Sequence, residues 1–189
     1  MVCALMRGHF PYRFAWLIDN PLRRVLVTPE RLADRLPITA DSCVLEVGPG
    51  SGYFSVELAR RTRSGRLELL DLQPEMLAKA RRKLRRAGMR HVGYTVANAS
   101  NPLPFPDETF DIAVLVAVLG EVPNAESSLG ELYRVLRDGG SLAIHEHVPD
   151  PDRIDFPALR TLAESQGFNL DSRWGPSWNY TATFRRQRA

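Results

Sequence analysis

The sequence predicts an α/β fold, a doubly wound sheet of seven mostly parallel strands with helices on both faces and an antiparallel last strand. Apolar runs and helix signals alternate from Ser42 to the end of the chain, which is the pattern of a parallel sheet wrapped by helices. The last two predicted strands are separated by residues 175–177 alone. A parallel crossover needs about a dozen residues, so these two strands form an antiparallel hairpin. A length of 189 residues suits one domain with a sizeable core.

The seven predicted strands are apolar runs bounded by turn residues, at 43–48, 66–71, 91–96, 110–118, 141–147, 168–174 and 178–184. Four predicted helices connect them, at 52–63, 74–87, 125–137 and 156–166. The ends of these helices carry first-turn prolines, polar caps and terminal glycines, namely Pro74, Pro157, Asn124, Asp155, Gly88 and Gly167.

Residues 1–41 are predicted to form a helical N-terminal extension packed on the core, and residues 42–189 the main domain. Apolar residues repeat at helical spacing over 10–18, and the Asn-Pro and Thr-Pro pairs at 20–21 and 28–29 are two further helix starts. Covering the core is the default role of this extension. Closing over a bound ligand, forming a homodimer contact and lying on a membrane surface stay open as alternatives.

Composition excludes several classes of protein. The hydrophobic share of 44% and the charged share of 25% are ordinary globular values, which exclude a disordered chain. Cys3 and Cys43 give neither metal-ligand spacing nor a disulfide framework, so we expect no metal site. The apolar stretch at 14–18 is far shorter than the roughly 20 residues of a membrane-spanning helix, and too short for a secretory signal. We therefore expect a soluble, cytoplasmic chain with no transmembrane segment.

The net charge of +3 does not by itself distinguish a nucleic-acid-binding protein from an ordinary enzyme. Basic residues concentrate at 79–86 and at 185–188. Met76, Ala80 and Leu84 recur at helical spacing and leave the charges of the first cluster on the opposite side. This arrangement favours a solvated helix face over a polyanion partner.

The sharpest motif is a buried strand that runs into three alternate glycines and then a helix, Glu-Val-Gly-Pro-Gly-Ser-Gly at 46–52. Gly48 permits a tight turn, and Gly50 lets a ligand approach the main chain. Gly52 lets the helix begin near the strand, where free amides favour negative charge. Tyr53 stands where a dinucleotide fingerprint has its third glycine, and the loop lacks the lysine of a P-loop. The motif therefore predicts a ligand cradle of neither type.

Together with three later motifs, residues 46–52 resemble the class I S-adenosylmethionine-dependent methyltransferases, in the small-molecule branch that contains quinone-biosynthesis enzymes. The later motifs are Leu-Leu-Asp-Leu-Gln-Pro-Glu-Met-Leu at 69–77, the segment 97–111, and a helix with a Gly-Gly turn at 129–142. The resemblance implies a Rossmann-like methyltransferase fold, with residues 42–189 as the methyltransferase domain.

The resemblance also implies a site for S-adenosyl-L-methionine. Asp71 takes the family's role of holding both ribose hydroxyls, which suits a bidentate acceptor. Asn98 stands where the family usually has an Asp that reads the adenine amino group, and its amide oxygen still accepts that hydrogen bond. The predicted cofactor-binding residues are Glu46, Gly48, Pro49, Gly50, Gly52, Asp71, Leu72, Asn98 and Ala99.

The implied activity is in-line transfer of a methyl group to a small acceptor, since no separate recognition domain is visible. Holding the acceptor in line with the methyl group is the main task of the protein. A general base helps if the acceptor is a hydroxyl or an acidic carbon, and the carboxyl ends of strands four and five are best placed to supply it. The candidates there are Glu121, His145, Glu146 and His147. Many relatives carry a pair of histidines at 119–122, and this chain does not, so no role is carried over from them.

Phe10, Tyr12, Phe14 and Trp16 predict an apolar border for the acceptor pocket, which suits a lipophilic substrate. Two other functions stay open: an RNA ribose methyltransferase, and a non-catalytic cofactor-binding protein on the same fold. Nucleic acid is not the expected partner, because the motifs of base-methylating enzymes are missing after strand four. Peripheral membrane contact and homodimerisation stay open.

Overall fold

The computed structural model describes residues 27–187 of the chain. The helix predicted over 10–18, the helix start at 20–21 and the aromatic border predicted at 10–16 lie outside these residues. Among residues 27–187, no helix is both long and apolar enough to cross a membrane.

The described residues form alternating strands and helices, as predicted. In chain order these are α1 (Pro29–Asp34), β1 (Cys43–Val47), α2 (Ser55–Arg61), β2 (Arg66–Asp71), α3 (Pro74–Arg86), β3 (Val92–Val96), β4 (Phe110–Val116), a 3-10 turn (Leu119–Glu121), α4 (Ala125–Val135), β5 (Leu136–His147), α5 (Phe156–Ser165), β6 (Phe168–Trp174) and β7 (Asn179–Arg186).

All seven strands join one sheet in the order β3-β2-β1-β4-β5-β7-β6. Strands β1 to β5 pair in parallel, and β7 runs antiparallel to both of its neighbours. The predicted fold class is therefore confirmed, including the antiparallel last strand. Strands β1, β2 and β3 follow one another towards one edge of the sheet, and strands β4 to β7 lie towards the other edge. The strand order therefore reverses between β1 and β4.

Helices cover both faces of the sheet because the strands bury side chains on both sides. On one face α1, α2 and α3 bury Leu32, Leu58 and Leu84 against the sheet. On the other face α4 and α5 bury residues such as Leu132 and Leu159. Each face has its own apolar cluster, which fixes the sheet as the middle layer.

The predicted helix signals hold in part. Thr28 Oγ1 accepts a hydrogen bond from the Arg31 amide at 3.2 Å, and Asn124 Oδ1 accepts one from the Ser127 amide at 3.0 Å. Asp155 stands at the N-cap of α5 but makes no capping bond, because its carboxylate pairs with Arg153 instead.

Several predicted boundaries differ from those in the structure, and two of them are helix ends. The second helix begins at Ser55 rather than at Gly52, since residues 50–54 form a turn. The helix predicted to reach residue 137 ends at Val135, and β5 begins at once with Leu136. Leu136 pairs with Phe110 on β4, and this long-range pairing draws the segment into the sheet.

Candidate functional site

A cavity opens at the carboxyl edge of the parallel strands, beside the point where the strand order reverses. Open α/β sheets bind ligands at this place, because the loops after the strands diverge there. Residues that follow β1, β2, β3 and β4 line it. Of the predicted cofactor-binding residues, it contains Glu46, Gly48, Pro49, Gly50, Asp71, Leu72, Asn98 and Ala99. The topology thus brings together residues that are far apart in the sequence.

The loop after β1 presents bare main chain to this cavity. Gly50 has a φ of +54°, and a Cβ built on it would meet no atom within 4 Å. Open space therefore lies where any other residue would place its side chain, and a ligand can approach the backbone there.

Gly52, which was also expected to bind the cofactor, packs against helix α3. It does not line the cavity. A Cβ at this position would lie 3.0 Å from Cα of Ala80, so Gly52 lets the loop pack closely on α3. The same packing brings Lys83 to the loop, where its Nζ donates a hydrogen bond to Ser51 Oγ at 3.1 Å.

Two polar side chains at neighbouring strand ends are held in place by local hydrogen bonds. Asp71 Oδ1 accepts a hydrogen bond from the Gln73 amide, and Asn98 Oδ1 accepts one from the Ser100 amide, both at 2.9 Å. These bonds fix the orientation of both side chains before any ligand arrives. A carbonyl oxygen has two acceptor positions, so Asn98 Oδ1 keeps one for a ligand donor.

Glu46 is a buried carboxyl group at the end of β1, with 2% of its surface exposed. Burial raises the pKa of Glu46 to about 7. The Ser55 hydroxyl lowers this pKa, whereas the negative charge of Asp71 raises it further. Its Oε2 atom has no hydrogen-bond partner among the described residues. A buried, unpartnered carboxyl oxygen beside a cavity suits a ligand with a cationic or amide donor.

Of the candidate general bases, Glu121 alone lines this cavity. It ends the 3-10 turn after β4, where its amide bonds to the Val118 carbonyl at 3.0 Å. Its carboxylate therefore shares the cavity with the residues at the end of β1.

The structure places His145 and His147 away from the cavity, on the α1 to α3 side of β5. Both side chains are buried, and their ring centroids lie 5.6 Å apart. His145 Nδ1 lies 3.0 Å from Thr181 Oγ1, a hydroxyl that also accepts a hydrogen bond from Arg35 at 2.6 Å. The two imidazoles share one strand face, as the alternation of β5 requires.

Glu146 points to the opposite face of β5 and does not line the cavity either. It is 1% exposed, and its Oε2 accepts a hydrogen bond from the Ile154 amide at 3.4 Å. Burial, with the charge of Asp150 next in size, raises its pKa to about 8 and so favours its protonated form.

The cavity also contains residues that sequence reasoning missed. They are mostly apolar or aromatic and include Tyr53, Phe54, Met76, Val116, Val118, Val122 and Pro123. Tyr53 and Phe54 pack edge to face at a centroid distance of 4.9 Å. The position of Tyr53 and Phe54 directly after the glycine loop is a usable sequence signal, whereas the helical spacing of Met76 predicts a core residue of α3.

Comparisons with known proteins agree with this architecture. The sequence profile of a family described as a methyltransferase domain matches residues 45–144, which is more than half of the chain. A crystal structure of a SAM-dependent methyltransferase from Aquifex aeolicus superposes with a TM-score of 0.86 and 22% identity, covering 94% of this chain and 100% of that one. This similarity shows the fold.

Curated relatives carry the name ubiquinone/menaquinone biosynthesis C-methyltransferase UbiE. The protein from Hydrogenovibrio crunogenus is 31% identical over 140 residues, 73% of this chain and 53% of its own length. The protein from Haemophilus ducreyi is 38% identical over 129 residues, 67% of this chain and 48% of its own length. The chain thus spans about half the length of the curated relatives it matches.

The names of these relatives do not favour the RNA alternative. The family profile covers both the glycine loop and the strand ends that surround the cavity. The chain therefore belongs to the methyltransferase domain family, and within it to the small-molecule branch of the class I S-adenosylmethionine-dependent methyltransferases.

Proposed function

We propose that this protein binds S-adenosyl-L-methionine and transfers its methyl group to a carbon atom of a small, lipophilic acceptor of the quinone-precursor type. One observation carries this proposal: the bare main chain at Gly50, the buried carboxyl of Glu46 and the fixed carboxylate of Asp71 face one cavity. Membership of the family supports the cofactor, and the names of the relatives support the class of acceptor.

The residues of the cavity fit such a cofactor. Asp71 would accept hydrogen bonds from the two ribose hydroxyls, and Asn98 with Ala99 and Leu72 would contact the adenine. Gly48, Pro49 and Gly50 would lie against the sugar and the amino-acid end. Glu46 would receive the positively charged amino group, because its unpartnered oxygen has no other donor among the described residues.

The bound cofactor supplies an electrophilic methyl group on a sulfonium centre. The residues of the chain must then hold the acceptor carbon in line with that methyl group and exclude water. As the methyl group bonds to this carbon, S-adenosylhomocysteine leaves, and a base must remove the proton that the acceptor carbon carried. Tyr53, Val118 and Pro123 give the cavity apolar walls, which suit a lipophilic ring and keep water out. Glu121 is the carboxylate placed to accept the proton, since His145 and Glu146 are enclosed elsewhere in the fold.

The test combines binding with transfer. Titration calorimetry with S-adenosylhomocysteine measures the cofactor site in the parent chain and in two variants. Asp71→Ala should weaken binding by about 1–3 kcal/mol, because two ribose hydroxyls lose their acceptor. Asp138→Ala, an exposed acid far along the chain, should bind as the parent does.

The second arm supplies labelled S-adenosylmethionine and a panel of quinone precursors, with products identified by mass spectrometry. A product methylated on a ring carbon supports the proposal. Tight S-adenosylhomocysteine binding with no product from any acceptor would instead favour a non-catalytic cofactor-binding protein. No measurable binding by the parent chain would overturn the cofactor site itself.

A further inference from the structure

A second cavity lies between helix α3 and the edge strand β3, and it shares no residue with the first. It measures about 450 Å³ and is lined by Arg81, Arg85, Met89, Arg90, Val92 and Tyr94. We name these six residues the basic cleft. Its volume falls within the range of about 300–1,000 Å³ that is usual for small-molecule pockets.

The fold explains why cations and an aromatic ring meet here. Leu77, Ala80 and Leu84 form the buried stripe of α3, and Arg81 and Arg85 follow it on one flank, one helical turn apart. On the same side of the sheet, Tyr94 of β3 lies beside Leu69 of β2 in the strand register. Strand β3 stands at the edge of the sheet, so no strand formed by the described residues lies beyond Tyr94.

The six residues of the basic cleft include three exposed arginines and no acidic residue. Among residues 27–187, Arg81, Arg85 and Arg90 make no ion pair, whereas Arg61 bridges two acids and Arg134 contacts Glu131 and Asp107. Like charges one helical turn apart repel each other. A cavity that gathers three guanidinium groups without an acid therefore stabilises an anionic ligand.

Tyr94 adds a neutral donor to these cations. The Arg81 guanidinium lies over its ring, 5.5 Å from the centroid. Burial raises the pKa of Tyr94, although the charges of Arg81 and Arg85 oppose the shift, so the hydroxyl stays protonated at neutral pH. A phosphoryl oxygen is an acceptor for both guanidinium and hydroxyl donors.

We propose that the basic cleft binds a small anion with at least two linked phosphoryl groups, such as a pyrophosphate or a nucleoside diphosphate. One phosphoryl group carries about −1.5 to −2 at pH 7, which is less than the charge of three arginines. Linked phosphoryl groups match the charge of the three arginines of the cleft. The site lies outside the proposed cofactor cavity, so it does not depend on the methyl-transfer proposal.

The test measures pyrophosphate binding by titration calorimetry in the full chain at physiological ionic strength. We expect saturable binding of one pyrophosphate per chain. Arg85→Gln should weaken it about tenfold or more, because it removes a charge-assisted hydrogen-bond donor. Arg82→Gln is the matched control, since Arg82 follows Arg81 by about 100° around the helix and lies off the cleft. It should change the affinity by less than about twofold.

Two further measurements separate a lost site from a lost fold. Both variants should bind S-adenosylhomocysteine as the parent chain does, because neither arginine lines that cavity. Pyrophosphate should raise the melting temperatures of the parent and of Arg82→Gln equally, and at the same concentration should raise that of Arg85→Gln less.

Comparison of ligands then identifies the source of the phosphoryl groups. Equal affinity for pyrophosphate and adenosine diphosphate indicates recognition of phosphoryl groups alone, and tighter binding of the nucleotide indicates contact with its base; both support the proposal. Absence of saturable pyrophosphate binding overturns it. A second outcome also overturns the proposal: an RNA oligonucleotide or an anionic vesicle binds more tightly than pyrophosphate, and Arg82→Gln and Arg85→Gln weaken that binding equally. Such a result would describe a diffuse basic surface rather than a specific site.

Discussion

Gly48 and Val118 meet across the sheet at the point where the strand order reverses. A Cβ at Gly48 would lie 2.5 Å from Cγ2 of Val118, which is closer than two non-bonded carbon atoms can approach. Gly48 follows β1 and Val118 follows β4, so this contact joins the two loops that flank the cavity. Both residues line the cavity. The bare α-carbon of Gly48 is thus what allows the two loops to close together.

Replacing Gly48 by alanine should therefore affect both stability and ligand binding. Gly48 has a φ of +65°, and a side chain in this conformation costs about 1–3 kcal/mol before the contact with Val118 is counted. Val118 lines the cavity and must shift to make room for this Cβ, so binding of S-adenosylhomocysteine should weaken. Urea denaturation and titration calorimetry measure the two effects.

Gly88→Ala is the control, because Gly88 has a φ of +79° but a Cβ there would meet no atom within 4 Å. It should cost about 1 kcal/mol of stability and leave ligand affinity unchanged. Equal losses of stability in both variants, with ligand affinity unchanged in Gly48→Ala, would contradict the role of the Val118 contact.

The sequence alone predicts the sheet well, because buried strands are apolar and the loops between them carry turn residues. It fails where a distant contact decides a local structure. Leu136 continues a helical pattern, yet it enters β5 because it pairs with Phe110. The sequence predicts that Gly52 begins a helix. In the structure a glycine is required there because Ala80 on α3 leaves no room for a side chain.

The candidate site likewise has some features that the sequence predicts and others that depend on distant contacts. Strand-end residues such as Asp71 and Asn98 could be placed from the sequence, since parallel strands bring their carboxyl ends to one edge. Alternation along β5 correctly separates His145 from Glu146, but it does not say that both strand faces are covered by helices. The contact between Lys83 and Ser51 has no sequence signal, because it depends on how α3 packs against the loop.

Glu46 should make the stability of the protein depend on pH. Its pKa is about 7 in the folded state and 4.5 as the reference value, so the folded state binds the proton more tightly. The resulting stabilisation is fully present below about pH 4.5 and is lost as the pH rises through 7, by about 3 kcal/mol in total. Urea denaturation at pH 5 and pH 8 measures the change.

Glu46→Gln removes this titration, so the variant should lose less stability than the parent between the two pH values. The pKa of Glu146 is also raised, to about 8 in the folded state, so its contribution to stability is likewise lost as the pH rises. Glu146→Gln therefore serves as a comparison, in which the Glu46 contribution persists. A parent and a Glu46→Gln variant with the same pH dependence would show that Glu46 is not a titrating buried acid.

Glu121→Gln should slow methyl transfer without weakening cofactor binding. The amide keeps the shape of the side chain but cannot accept a proton, and loss of a general base lowers rates by about 10²- to 10⁴-fold. We expect kcat to fall, KM to stay nearly constant, and the acidic limb of the pH profile to disappear. Steady-state kinetics measures all three quantities, with a methyl acceptor identified by the product assay described above.

Glu126→Gln is the matched control, since Glu126 is an exposed acid in the first turn of α4 and does not line the cavity. Its kinetics should match those of the parent chain. An unchanged kcat in Glu121→Gln would assign proton removal to solvent or to the acceptor itself.

Asn124 and Asp155 stand at the N-caps of α4 and α5, but they should contribute differently to stability. Asn124 Oδ1 accepts a hydrogen bond from the Ser127 amide at 3.0 Å, so Asn124→Ala should lower the free energy of unfolding by about 1 kcal/mol. Asp155 makes no capping bond and pairs with Arg153 at the surface, so Asp155→Ala should cost less than about 0.5 kcal/mol. Urea denaturation of the two variants compares the costs directly. A larger loss in Asp155→Ala would mean that the charge at the start of α5 outweighs the hydrogen bond at the start of α4, because an acid also interacts with the helix dipole.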